Sequence, residues 1–142
     1  MRSGRLESAV ASALSLLFFI GCSSPGIKTH PISGKVEVKD GDVAMLTGST
    51  VQLVHVDDET IRPYGNLDGS GKFTVKTLYK GDVLQGAPAG NYKARISLAD
   101  ESDEGVPKRP PNLLHPRFLD FDKSGLTFTV PSGDYTVGIS RK

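Results

Sequence analysis

Ile32-Ser-Gly-Lys-Val-Glu-Val-Lys39 decides the fold. Ile32, Gly34, Val36 and Val38 alternate with Ser33, Lys35, Glu37 and Lys39, and a period of two puts the first set on one face of a pleated strand and the second in water. The alternation returns downstream: Phe73, Val75 and Thr77 against Lys72, Thr74 and Lys76, and Tyr92, Ala94, Ile96 and Leu98 against Lys93, Arg95 and Ser97. It recurs in Leu126, Phe128 and Val130, then in Tyr135, Val137 and Ile139. Ser49 to Val56 is another run, with Val51 and Leu53 on one face and Val54 and Val56 on the other, which marks a central strand. Thr60 to Leu67 completes the set, and Pro63, which has no ladder donor, assigns that segment to an edge or a bulge.

Turn-forming residues separate these runs: Asp40-Gly-Asp42, Asp68-Gly-Ser-Gly71, Pro88-Ala-Gly-Asn91 and Pro131-Ser-Gly-Asp134. The 142 residues include 16 Gly and 9 Pro, a turn-rich composition, and no stretch of helical period follows residue 22. A sheet with one apolar face must cover it, so the expected fold is all-β: a seven-stranded antiparallel β-sandwich over residues 32–142. With 17 Lys plus Arg against 16 Asp plus Glu and no basic cluster, nothing marks a nucleic-acid surface. One Cys forms neither a disulfide framework nor a thiolate zinc site.

The N-terminal segment carries an address. Arg2 and Arg5 precede Ala9 to Ile20, twelve uncharged residues in which only Ser12 and Ser15 are polar, and the run ends in Gly21-Cys22-Ser23-Ser24-Pro25. Basic, apolar and small residues in that order are the layout of a cleavable secretory signal, expected over residues 1–21 as a helix. Twelve apolar residues are too few to span a bilayer, which takes about 20. Residues 22–31, CSSPGIKTHP, have no periodicity and read as a flexible tether. Loss of residues 1–21 removes Arg2, Arg5 and Glu7 and leaves basic and acidic residues in equal number, so charge would not hold the mature chain to a membrane.

Phe19-Ile-Gly-Cys22 resembles the lipobox of bacterial lipoproteins, with Phe19 where that family prefers Leu. The resemblance implies diacylglyceryl transfer to Cys22, cleavage before it, and an extracytoplasmic chain lipid-anchored in the cell envelope. Ser23, where Asp would retain such a protein at the inner membrane, is similar to the class sent on to the outer membrane. Pro31-Ile-Ser-Gly-Lys-Val-Glu-Val38, Asn66-Leu-Asp-Gly-Ser-Gly-Lys-Phe73, Gly86-Ala-Pro-Ala-Gly-Asn-Tyr92 and Ser124-Gly-Leu-Thr-Phe-Thr-Val130 together resemble the carboxypeptidase regulatory-like, or transthyretin-like, domains found on many small bacterial lipoproteins. That resemblance covers nearly the whole mature chain. It implies a prealbumin-like sandwich, related to the Ig-like class, that serves as an accessory, adhesive or structural module.

Candidate chemistry is sparse. Asn66, Asp68 and Ser70 before Gly71 imitate the start of a calcium loop, but its twelfth position is Thr77 and not Glu, so the segment reads as a hairpin turn. His30, His55 and His115 have no short ligand spacing. The chain ends Ile139-Ser-Arg-Lys142, without the Tyr-Arg-Gly-Ser terminus of transthyretin-like hydrolases, and no nucleophile motif stands in context. Neither an enzyme, a cofactor nor a metal is expected. The leading expectation is a structural or interaction module whose partner is an envelope protein, with a glycan-binding domain as the alternative. With no Trp, Tyr64 and Tyr79 are the aromatic residues expected to stack on a sugar. Residues 99–116, where Asp100, Glu101, Asp103 and Glu104 precede Lys108, Arg109, Pro110 and Pro111, read as a long Pro-stiffened loop.

Overall fold

The computed structural model describes residues 26–131 and 135–142; the expected signal segment, Cys22 and the start of the expected tether lie outside them. Its first full strand is the segment that decided the fold. In β2 (Ser33–Lys39) Val36 is buried and Lys35, Glu37 and Lys39 are exposed, while Ile32 just ahead of it is sealed in the core.

The other strands are β1 (Thr29–His30), β3 (Thr50–His55), β4 (Tyr64–Asn66), β5 (Lys72–Thr74), β6 (Lys76–Tyr79), β7 (Asp82–Gln85), β8 (Ala87–Pro88), β9 (Gly90–Ser97), β10 (Thr127–Val130) and β11 (Thr136–Ser140). A six-stranded sheet has the order β10-β9-β3-β4-β6-β7, a three-stranded sheet the order β11-β2-β5, and β1 pairs with β8. The two larger sheets share one core. Val36, Phe73, Val137 and Ile139 from the smaller meet Val51, Leu53, Tyr92, Ala94, Ile96 and Phe128 from the larger. The chain is all-β, with only two single-turn 3₁₀ helices, Val43–Leu46 and Pro116–Leu119, among the described residues.

Five expectations need correction. The described residues form eleven strands where seven runs were expected, partly because the run through Phe73, Val75 and Thr77 serves two sheets. All three side chains are buried, yet β5 pairs with β2 and β6 pairs with β4 and β7. The switch falls at Val75, whose N–H donates to the Ile32 carbonyl and whose own carbonyl accepts from the Gly86 N–H. Pairing is also not wholly antiparallel: β11 lies parallel to β2, Val137 opposite Val36 and Ile139 opposite Val38. A parallel pair needs a long crossover, and nearly the whole domain, running between these two strands, supplies it.

The segment around Pro63 is an interior strand, not an edge. β4 sits between β3 and β6, and Pro63 precedes its first residue, so the missing N–H interrupts no β4 ladder bond while the Pro63 carbonyl still accepts from the Leu53 N–H at 2.8 Å. Finally, pairing begins inside the expected tether, at Thr29 and His30, which lie opposite Pro88 and Ala87. Val56 and Leu98, expected within strands, fall just beyond β3 and β9 and are exposed.

Candidate functional site

The outward face of the six-stranded sheet carries polar side chains in rows. Arg95 on β9 lies opposite Gln52 on β3, Gln52 opposite Tyr64 on β4, and Tyr64 opposite Lys76 on β6. The adjacent row holds Ser97, Thr50 and Asn66. Side chains directly opposite one another in a ladder share a face, and Arg95, Gln52 and Tyr64 of the first row with Thr50 and Asn66 of the second form the floor of a depression. The segment after the second 3₁₀ helix folds over it and lays the Phe121 ring 4.5 Å from the Arg95 guanidinium carbon. Arg62, just ahead of β4, closes the other side. The result is a groove of about 410 Å³ lined by Thr50, Gln52, Tyr64, Asn66, Arg62, Arg95 and Phe121 with Leu53 and Pro63.

Local bonds position its polar groups. Arg95 Nε donates to Gln52 Oε1 at 2.8 Å, Arg62 Nε donates to the Glu59 carbonyl at 2.9 Å, and Thr50 Oγ1 donates to Asn66 Oδ1 at 3.2 Å. The groove lining includes no carboxylate. Glu59 and Asp122 line the adjoining, smaller depression, where Lys93 Nζ donates to Asp122 at 2.6 Å. That contact holds the Asp122 carboxyl below its ordinary range and the Lys93 ammonium above its own.

Comparison with known proteins adds no relative. No family model, curated protein or solved structure matches this chain.

Of the two aromatic residues expected to stack on a ligand, Tyr64 lies in the groove and Tyr79 does not. Tyr64 shares a face with Lys76, and Tyr79, three residues further along β6, falls on the opposite face, with the Lys80 ammonium 5.2 Å from its ring. The two therefore form no common platform. Arg62, Arg95, Gln52 and Phe121 were not anticipated. The contact between Gln52 and Arg95 depends on a register that alternation alone does not give, but Phe121 did leave a sign, being an aromatic residue outside every alternating run.

The segment resembling a calcium loop is a turn as expected but not that of a hairpin, because β4 before it and β5 after it belong to different sheets. Asp68 Oδ1 accepts from the Ser70 hydroxyl at 2.7 Å, the Ser70 N–H at 2.8 Å and the Lys72 N–H at 3.0 Å. These bonds, the Ser70 hydroxyl first, pull the Asp68 carboxyl below its ordinary range. His30 lies on β1, His55 ends β3, and His115 caps the second 3₁₀ helix by accepting from the Arg117 N–H. Among the described residues no three His, Cys, Asp or Glu side chains converge as metal ligands.

Within residues 99–116 the Arg109 guanidinium donates to the Ala99 carbonyl while the Arg109 N–H donates to Glu101 Oε1 at 2.8 Å. These bonds tie the start of the acidic stretch to the basic stretch that follows it, and Leu113 and Leu114 then enter the core. Lipidation at Cys22 concerns a residue outside the described ones.

Proposed function

We propose that the chain is a bacterial lipoprotein of the cell envelope, anchored outside the cytoplasm through lipid on Cys22, whose prealbumin-like sandwich acts as a non-catalytic structural or interaction module. The observation that carries this reading is Phe19-Ile-Gly-Cys22 at the end of an apolar run that follows Arg2 and Arg5. Each buried CH₂ is worth about 0.8 kcal/mol, so two or three acyl chains would contribute more than ~20 kcal/mol and make release negligible. Ser23 favours the outer membrane as destination. Since pairing begins at Thr29, residues 22–28 remain as the spacer, a reach of about 25 Å at 3.3–3.6 Å per extended residue.

Intact-mass analysis of the membrane-extracted chain tests this. A polypeptide beginning at Cys22 with a diacylglyceryl adduct supports the reading. One that begins elsewhere, carries no acyl group and washes into buffer overturns it.

A second reading, glycan binding by the same module, is favoured by one observation. Tyr64 and Phe121 flank a groove whose floor carries the Gln52 and Asn66 amides, a combination of ring and hydrogen-bonding groups that suits a sugar.

A further inference from the structure

The charged hydrogen-bonding groups of the groove on the six-stranded sheet are all donors. Arg95 can only donate, so the Gln52 oxygen must face it and the Gln52 amide NH₂ is left toward the groove. Asn66 Oδ1 is likewise taken by Thr50. The terminal guanidinium nitrogens of Arg62 and Arg95 have no hydrogen-bond partner among the described residues, and neither arginine joins an ion pair there. Each amide oxygen already accepts one bond inside the protein, while two cationic forks and two amide NH₂ groups remain as donors. The only charged side chains in the lining are Arg62 and Arg95, and the nearest acidic groups, Glu59 and Asp122, line the adjoining depression that Arg62 also borders.

Arg95 is also held in place. Its Nε is fixed by Gln52 and its plane is covered by Phe121, which leaves the outer edge of the guanidinium as the free part. A planar fork held on one side and open on the other matches a carboxylate in bidentate geometry.

From this arrangement we infer that the groove binds an acidic saccharide, with the carboxylate of a uronic-acid-type unit on Arg95 and Arg62 and the apolar face of its ring against Tyr64. This deepens the glycan reading and rests on it. The sugar hydroxyls meet the Gln52 and Asn66 amides, which donate to them. A volume of about 410 Å³ lies within the ~300–1,000 Å³ usual for small-ligand sites. Tyr64 is what separates this ligand from a bare anion, because a half-buried ring beside the cations adds an apolar contact that phosphate alone would leave unused.

Titration calorimetry on the purified full-length chain tests the inference, with a galacturonate trimer as probe and a neutral galactose trimer and inorganic phosphate as controls. The uronate is expected to bind at least about tenfold more tightly than the neutral trimer, the discrimination of a charge-assisted pair. Its affinity should fall as salt is raised. Arg62→Gln, an exposed change, should weaken the uronate about tenfold and leave the melting temperature unchanged. Arg95→Lys, which keeps the charge and loses the fork, should weaken it as well, and Tyr64→Ala should weaken both sugars.

Equal affinity for the two trimers overturns the acidic specificity while leaving glycan binding in place. Binding of phosphate without uronate, or indifference of the uronate to Arg62→Gln, overturns the inference. If no probe binds, both the inference and the glycan reading fail, and an acylated, membrane-retained chain would still stand as an interaction module.

Discussion

The imidazole of His55 stands edge-on to the ring of Tyr92, centroids 5.0 Å apart at 79°, and both are tied to one short segment. Tyr92 donates its hydroxyl to the Pro88 carbonyl at 2.6 Å, and His55 Nε2 lies 3.3 Å from the Ala89 carbonyl. Between segment and ring sits Gly90 at φ +145°, where an added Cβ would lie 2.1 Å from His55 Nε2. The Pro-Ala-Gly-Asn segment, expected as a turn, passes from β8 into β9 through Ala89 alone and is clamped to the core from two sides.

Tyr92→Phe should destabilise the fold by about 1–3 kcal/mol, because it leaves the buried Pro88 carbonyl without its donor. Burial pushes the Tyr92 hydroxyl up to about 12 from its ordinary 10.0. The neutral phenol is thus favoured in the folded state, and this contribution is complete below pH 10 and lost as pH rises toward 12. Urea titrations across that window should show the wild type losing stability more steeply than the Phe variant; parallel curves would disprove the assignment.

Ile96 and Phe128 bracket the core of the six-stranded sheet, Ile96 1% and Phe128 6% exposed. Ile96→Ala should cost about 2–5 kcal/mol and Phe128→Ala about 3–5 kcal/mol through the cavities left behind. The Phe128 variant also loses its stacking on Tyr135, centroids 5.7 Å apart. Chemical denaturation reads both, and an unchanged midpoint would place either side chain outside the core.

Alternation made the inward residues legible, since Ile32, Val36, Phe73, Val75, Tyr92, Ala94, Ile96, Phe128, Val137 and Ile139 are all buried. It could not show which strands pair. The period of two is the same on either side of Val75, where the chain leaves one sheet for the other, and it is blind to whether β11 runs parallel or antiparallel to β2. Pro63 misled because the rule about proline concerns a missing donor, and the adjoining ladder begins one residue later. The groove was half legible: Tyr64 stood out as an aromatic residue, whereas Arg95 and Gln52 looked like any solvated strand face until register made them neighbours.

The hairpin between β6 and β7 has Lys80 at φ +49° and Gly81 at φ +84°, the pattern of a two-residue type I′ turn. Space around Gly81 is open, so its role is conformational only. Gly81→Ala should lower stability by roughly 1 kcal/mol, and Lys80→Asn, which suits the left-handed region better, should raise it by a few tenths. Thermal melts of both variants check the opposite signs.

Asp68 should set part of the acid limit of the fold. Its carboxyl, held by Ser70 and Lys72 below the ordinary 3.8, is ionised more readily in the folded chain than in the unfolded one. A lowered carboxyl contributes stability that is present above the unfolded value and lost as pH falls through the folded value, so the loss begins near pH 4 and continues below it. Asp58 and Asp100, held the same way by Thr60 and Ser102, act in the same direction. Asp68→Ala should lower the melting temperature at pH 7 and make it less sensitive to acid. Asp68→Asn, which keeps the acceptor but not the charge, should fall between the two at pH 7 and share the flattened acid limb. A melting temperature that drops equally in all three chains between pH 5 and pH 2 would assign the acid sensitivity to other groups.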